Sequence, residues 1–191
     1  MESFISIYNS EMEQDLARIL IPRERIERRV AELAQGIART YGEESEGLII
    51  VPILAGSIIF LADLMRRLPF KMRIGLMTLS SYRGATTTTA GTQLVQDLSE
   101  DIAGRHVLIV DDILDSGGTL RSVRDQLGPR KPASLRICVL LRKTGKAPKD
   151  LVPDFVGFDI DDVFVVGYGL DYDGHYRNWP DIGVLRPELY A

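Results

Sequence analysis

The apolar positions of this chain alternate between helical and extended spacing. Across residues 22–41, Ile26, Val30, Leu33, Ile37 and Tyr41 recur at three- and four-residue steps, which draws one apolar stripe along a helix. Pro22 suits the first turn of that helix and Gly42 its stop. Residues 48–54 form an apolar run that reads as a buried strand. Gly56 and Ser57 make a turn, residues 58–68 a second helix, and residues 73–80 another strand. Strand patterns return at 92–98, 107–110, 135–141, 155–158 and 163–166, with a helix-like stretch at 120–127. This alternation predicts an α/β fold, a mainly parallel twisted sheet wrapped by helices. Residues 167–191, rich in aromatics, acids and turn formers, read as a cap or small second lobe. No internal repeat or low-complexity tract interrupts the pattern.

One polar stretch stands apart. Residues 81–91, SYRGATTTTAG, lack an apolar stripe. Threonine favours strands, so the segment reads as a hairpin tip, or else as a mobile lid over an active site.

The segment VLIVDDILDSGGT, residues 107–119, carries the most chemistry. Its apolar strand runs into two acids, Asp111 and Asp112, and then into Asp115, Ser116, Gly117, Gly118 and Thr119 ahead of a helix. Small residues between a strand and a helix let backbone N–H groups close around an oxyanion at the helix N-terminus. Ser116 and Thr119 can add hydroxyl donors, and the paired acids can accept from neighbouring hydroxyls such as those of a ribose. The pattern points to a phosphorylated sugar. In open α/β sheets such ligands bind beyond the carboxyl ends of the strands.

This segment resembles the binding motif of the type I phosphoribosyltransferases, which hold phosphoribosyl pyrophosphate (PRPP): an apolar strand, two acids, two apolar residues, Asp, Ser or Thr, Gly, any residue, then Thr or Ser. Other segments narrow the resemblance to the hypoxanthine–guanine branch. Residues 152–178, VPDFVGFDIDDVFVVGYGLDYDGHYRN, are similar to its C-terminal signature; ILAGS at 53–57 stands where it has a pyrophosphate loop; LSSYRG at 79–84 resembles the start of its mobile loop; LLRK at 140–143 resembles its strand ending in a purine-binding lysine. The similarity runs from about residue 15 onward in the same order. It implies the type I phosphoribosyltransferase fold as a single domain over 1–191, with a core sheet at about 45–165 and a hood from about 166–191 plus N-terminal residues.

The implied reaction is attack of a purine ring nitrogen on C1 of PRPP, with pyrophosphate leaving. By the resemblance, Asp115, Ser116, Gly117, Gly118 and Thr119 hold the 5′-phosphate, and Asp111 and Asp112 face the ribose hydroxyls directly or through Mg²⁺. Asp171 is a further implied metal ligand at the purine side; on the residues alone it is a turn acid. Asp115 is the implied general base near N7 of the purine, alongside a structural reading in which it orders the phosphate loop. Lys143 is implied to donate to the exocyclic O6 of hypoxanthine or guanine, where adenine presents a competing donor. Phe164 is implied to stack on the purine and the Val165 backbone to read its edge; without the family, Phe164 is an ordinary core aromatic. Pyrophosphate falls to Ala55, Gly56, Ser81, Tyr82 and Arg177. Many members carry lysine where this chain has Ala55, which removes a side-chain cation from that loop.

Composition adds bounds. The chain has 191 residues, 45% hydrophobic and 26% charged, enough for one domain with a substantial core. The single cysteine, Cys138, excludes an internal disulfide. No apolar run is long enough to span a bilayer, and the N-terminus lacks a secretory pattern; together these point to the cytoplasm and away from a membrane. The net charge of −4 argues against a general nucleic-acid binder. His106 and His175 have no zinc-like spacing, and Trp179 reads as packing. The resemblance implies PRPP and a 6-oxopurine as substrates and a homodimer or homotetramer as the assembly. Two other functions stand beside purine salvage: a PRPP-sensing RNA-binding regulator on the same fold, for which residues 23–29 and 142–149 offer basic clusters, and a phosphoribosyltransferase for xanthine or adenine.

Overall fold

The computed structural model describes residues 11–42, 46–81, 92–96 and 98–190, and for 78–81 and 92–96 the backbone alone. Its centre is a five-stranded parallel sheet built from β2 (Ile49–Pro52), β3 (Arg73–Ile74), β6 (His106–Leu114), β7 (Ser134–Lys143) and β8 (Phe155–Ile160). The strand order is β3-β2-β6-β7-β8. Successive residues of the central strands face opposite sides. Leu108, Val110, Cys138 and Leu140 join the core beneath α1 (Arg23–Tyr41) and α2 (Ile58–Met65). Val107, Ile109, Ile137 and Val139 join the core beneath α3 (Gly118–Leu127). Both faces are therefore covered, which is why these strands read as unbroken apolar runs. The stripe predicted on residues 22–41 is the buried face of α1: Ile26, Val30, Leu33, Ile37 and Tyr41 are all inside.

A second, antiparallel sheet of three strands has the order β1-β10-β9, with β1 at Leu16–Ile21, β9 at Val165–Val166 and β10 at Ile182–Leu185. Neither β1 nor β10 is apparent from the sequence pattern. In β1 only the first and last residues are buried, so no alternation announces it. A pair, β4 (Thr78–Ser81) and β5 (Thr92–Gln96), leads into and out of the polar stretch 81–91. Apart from the backbone of Ser81, that stretch lies outside the described residues, as does Tyr82.

Three of the boundaries that differ from the expected ones do so for a local reason. The strand expected over 73–80 divides into β3 and β4: at Gly75 the chain passes so close to Leu98 that a Cβ would sit 2.4 Å from its Cδ1, and there it leaves the parallel sheet. Helix α2 stops at Met65 rather than 68. Its end tightens into three-residue turns (Arg67 N to Leu64 O, 3.0 Å), and Pro69 follows. Strand β6 does not end at Asp111. It stays paired with β7 as far as Leu114, whereas its other neighbour, β2, ends at Pro52 opposite Val110. The paired acids thus lie on strand that is hydrogen-bonded on one side only, and the space that β2 would have filled is open.

Candidate active site

That space is a cleft of about 360 Å³, bordered by the loop from Ile53 to Gly56, by Asp111 and Asp112, by the turn from Asp115 to Thr119, and by Asp171 and Arg177. Asp111 is buried, and the Asp112 N–H donates to its Oδ1 at 3.0 Å; the Ile113 N–H donates to Asp112 Oδ1 at 2.8 Å. Burial pushes both carboxyls above the ordinary range. For Asp111 the neighbouring Asp112 charge adds to the rise, while the hydrogen bonds to Asp112 and the Arg177 charge pull Asp112 back. Two crowded, largely desolvated acids make a place that gains from an arriving cation or hydroxyl donor.

The first loop lies tight against them. A Cβ on Gly56 would stand 1.8 Å from Asp112 Oδ2, so only glycine fits there. The Leu54–Ala55 peptide is cis. On the far side, a Cβ on Gly169 would meet the Gly56 carbonyl oxygen at 2.2 Å, which packs the loop between β6 and the 167–177 segment. In that segment Arg177 Nη2 pairs with Asp171 Oδ1 at 2.8 Å and Nη1 donates to the Gly169 carbonyl at 2.7 Å; the Gly174 N–H donates to Asp171 Oδ2 at 2.9 Å. The acid and the arginine singled out separately from the sequence are thus one hydrogen-bonded unit on the cleft wall.

The turn before α3 is made by Gly117, at φ +76, where a side chain would also strike Leu151 and Pro148. No side chain caps α3, and the Arg121 N–H is bonded to the Gly117 carbonyl, so the N–H groups of the first turn have no helical partner and lie at the cleft wall. At Gly118, by contrast, an added Cβ would meet only Ser116 Oγ, at 3.9 Å.

A second cavity, about 570 Å³, adjoins the first across Asp112, Ile113, Asp115 and Asp171. Lys143, at the end of β7, is buried inside it. Its ammonium lies 2.9 Å from Asp162 Oδ1 and 3.2 Å from Asp115 Oδ2. Lys146 straddles the Asp115 carboxylate, its ammonium 3.0 Å from Oδ1 and 3.3 Å from Oδ2. The bond to Asp115 raises the Lys146 ammonium above its usual range. Phe164 and Val165 line the same cavity. The Leu185 N–H donates to the Phe164 carbonyl at 3.0 Å, which makes Val165 and Val184 a non-hydrogen-bonded pair. Val165 therefore turns its own N–H and C=O away from β10, on the edge strand of its sheet.

The arrangement can hold an anion at the α3 terminus, a diol or cation at the paired acids, and a planar polar ring against Lys143, Asp115 and the Val165 backbone. The phosphoribosyl transferase domain model matches residues 20–173, most of the chain. The chain belongs to the phosphoribosyl transferase family. Relatives within it include the hypoxanthine phosphoribosyltransferase of Salmonella typhimurium, 45% identical over 165 residues, which span 86% of this chain and 93% of that one. The hypoxanthine-guanine phosphoribosyltransferase of Mycobacterium tuberculosis is 41% identical over 180 residues, 92% of this chain and 89% of that one. Among solved structures, a hypoxanthine phosphoribosyltransferase from Staphylococcus aureus superposes with a TM-score of 0.88 at 42% identity, covering 96% of this chain and 98% of that one.

In this member of the phosphoribosyl transferase family, the structure draws together every described residue singled out from the sequence except Ser81, whose side chain lies outside the description. It also adds residues that sequence reasoning missed. Asp162 reaches Lys143 because β7 and β8 pair with Lys143 opposite Ile160. Lys146 returns over Asp115 through a tight turn, with its own N–H on the Lys143 carbonyl at 3.1 Å. Tyr190 stacks on Phe164. Only the i, i+3 spacing of the two lysines could have been read beforehand. Four of the five arginines of the basic clusters are engaged within the chain: Arg29 donates to the Gly157 and Val156 carbonyls, Arg23 pairs with Asp181, Arg25 lies over the Phe158 ring, and Arg142 pairs with Asp159. Among the described residues no helix is long and apolar enough to cross a membrane.

Proposed function

We propose that this chain is a purine-salvage enzyme that transfers the 5-phosphoribosyl group from PRPP to hypoxanthine and guanine, giving IMP or GMP and pyrophosphate. One observation carries the reading: a buried ammonium (Lys143), the carboxylate paired with it (Asp115) and an outward-turned backbone (Val165) share a cavity that opens onto a cleft of paired acids and free N–H groups. In the first, a 6-oxopurine finds a donor for O6, an acceptor near N7 and backbone groups for its ring edge. In the second, the 5′-phosphate finds the α3 terminus with Ser116 and Thr119, and the ribose diol finds Asp111 and Asp112. As the bond at C1 breaks, positive charge grows on the ribose beside these acids. Negative charge grows on pyrophosphate beside Arg177 and the Ala55–Gly56 backbone, and the family resemblance gives Ser81 and Tyr82 a share in holding it. Asp115 takes up or returns the purine proton.

Among the described residues no three acids or histidines cluster as a complete metal site. The donor set still fits Mg²⁺, which favours one or two carboxylates completed by water and substrate oxygens. Asp171 and the Asp111–Asp112 pair would hold it, and it would supply charge neutralisation for pyrophosphate. Residues 1–191 act as one unit in this reading, in the cytoplasm. A second copy of the chain covers the exposed Leu54, Ile58, Ile59 and Met65, forming a homodimer or homotetramer.

The test incubates the protein with PRPP, Mg²⁺ and, separately, hypoxanthine, guanine, xanthine, adenine and uracil, and follows nucleotide formation. Turnover of hypoxanthine and guanine is expected. Turnover of adenine alone would contradict the role given to Lys143, and tight RNA binding without turnover of any base would favour the regulator.

A further inference from the structure

Three aromatic rings meet beside the cavity that holds Lys143. Phe164 and Tyr190 stack with centroids 4.7 Å apart and planes 25° from parallel. Tyr172 meets Phe164 at 5.5 Å and 89°, and lies 6.5 Å from Tyr190. These separations close a triangle whose angle at Phe164 is about 80°, far from the roughly 180° of rings on opposite faces. One face of Phe164 is thus taken by Tyr190, and the face away from it is clear of both tyrosines.

Burial does not account for Tyr190, which remains 37% exposed. Its place comes from a braced turn. The Arg186 N–H donates to the Asp15 carbonyl at 2.9 Å and its Nε to the Gln14 carbonyl at 2.6 Å. Pro187 then opens a short 3₁₀ turn, closed by the Tyr190 N–H on the Pro187 carbonyl at 3.2 Å. A half-exposed ring is held in fixed geometry against Phe164, and both rings line the cavity next to Val165.

Resting on the reading of this cavity as the purine site, we infer that Tyr190 is a positioning residue for the base. It backs Phe164 and fixes the plane of that ring relative to Lys143 and the Val165 backbone, so that a planar heterocycle stacks on the free face. Without it, Phe164 gains rotamer freedom that base binding must then remove.

Steady-state kinetics of the full chain with Tyr190→Ala and Tyr190→Phe test this, each with PRPP and Mg²⁺ saturating and hypoxanthine varied. In Tyr190→Ala the KM for hypoxanthine should rise about three- to tenfold, the span expected for one aromatic pair. The kcat and the KM for PRPP should stay within about twofold, since the chemistry and phosphate cleft are untouched. Tyr190→Phe, which keeps the ring, should behave as the unaltered protein. A lower hypoxanthine KM in Tyr190→Ala would mean that Tyr190 occupies the place the base takes, and an unchanged KM would make it a bystander; either overturns the inference. Equal impairment in both variants would assign the effect to the hydroxyl and overturn it too. Failure of the unaltered protein to turn over any purine would instead sink the functional reading itself, and this inference with it.

Discussion

Replacing Lys143 with methionine separates recognition from folding. The Lys143 side chain is 8% exposed, so its stem is packed, and methionine preserves most of that packing. Its acidic partners reach solvent, with Asp115 35% and Asp162 52% exposed, so the replacement strands no deeply buried charge. The fold should survive with Tm within about 4 °C of the unaltered protein. What the variant loses is a charge-assisted donor to the exocyclic oxygen of the base, worth about 1.5–3 kcal/mol, so kcat/KM for hypoxanthine should fall roughly 10- to 150-fold. The KM for PRPP should move little, because the ammonium lies in the second cavity and does not border the phosphate cleft. Discrimination against adenine should narrow as well, since the donor that opposes its amino group is gone. Hypoxanthine and adenine are assayed side by side at saturating PRPP, with thermal melts of both proteins. A hypoxanthine kcat/KM within about twofold of the unaltered value, in a variant that melts normally, would refute the argument.

Other substitutions probe the cleft. Gly118→Ala adds a methyl with room around it at the start of α3, so Tm should hold or rise, while the KM for PRPP climbs roughly tenfold if the methyl blocks one N–H from a phosphate oxygen; an unchanged KM would place the phosphate elsewhere. Gly56→Ala drives a Cβ into the Asp112 carboxylate and should cost about 1–3 kcal/mol together with most of the activity; a normal melting temperature would show that the loop yields easily. Asp115→Asn keeps the shape of the turn and should lower kcat by about 10²-fold or more, with the KM for PRPP nearly unchanged. A loss below about tenfold would leave Asp115 the role of ordering the phosphate loop.

Local signals made much of this protein legible. The segment from Val107 to Thr119 carries strand, acids, turn and helix start in one contiguous run, so hydrophobic period and glycine chemistry suffice to place them. The stripe on α1 and the unbroken apolar strands likewise follow from periodicity, because burial on one or two faces leaves its mark on every residue. Lys143, Phe164 and Arg177 had no such mark. A lysine ending a strand, an aromatic near another and an arginine in a turn each have a commoner structural use, and only resemblance to a family set them apart.

Tertiary structure decided what depends on parts of the chain brought together from afar. Pairing β1 with β10 joins residues more than a hundred positions apart, and neither strand has the alternation that would declare it. The cleft exists because β2 stops where β6 goes on, a difference between two strands that neither shows alone. Asp162 and Lys146 gather around Lys143 and Asp115 through strand register and a returning turn, and Tyr190 reaches Phe164 through a turn braced on residues 14 and 15. The sequence by itself determined the elements and the phosphate-binding turn, since those rest on neighbours within a few residues. Which charges meet, and which ring faces stay open, was settled only by packing, because distances across a folded chain are set by register and close contact and leave no period in the sequence.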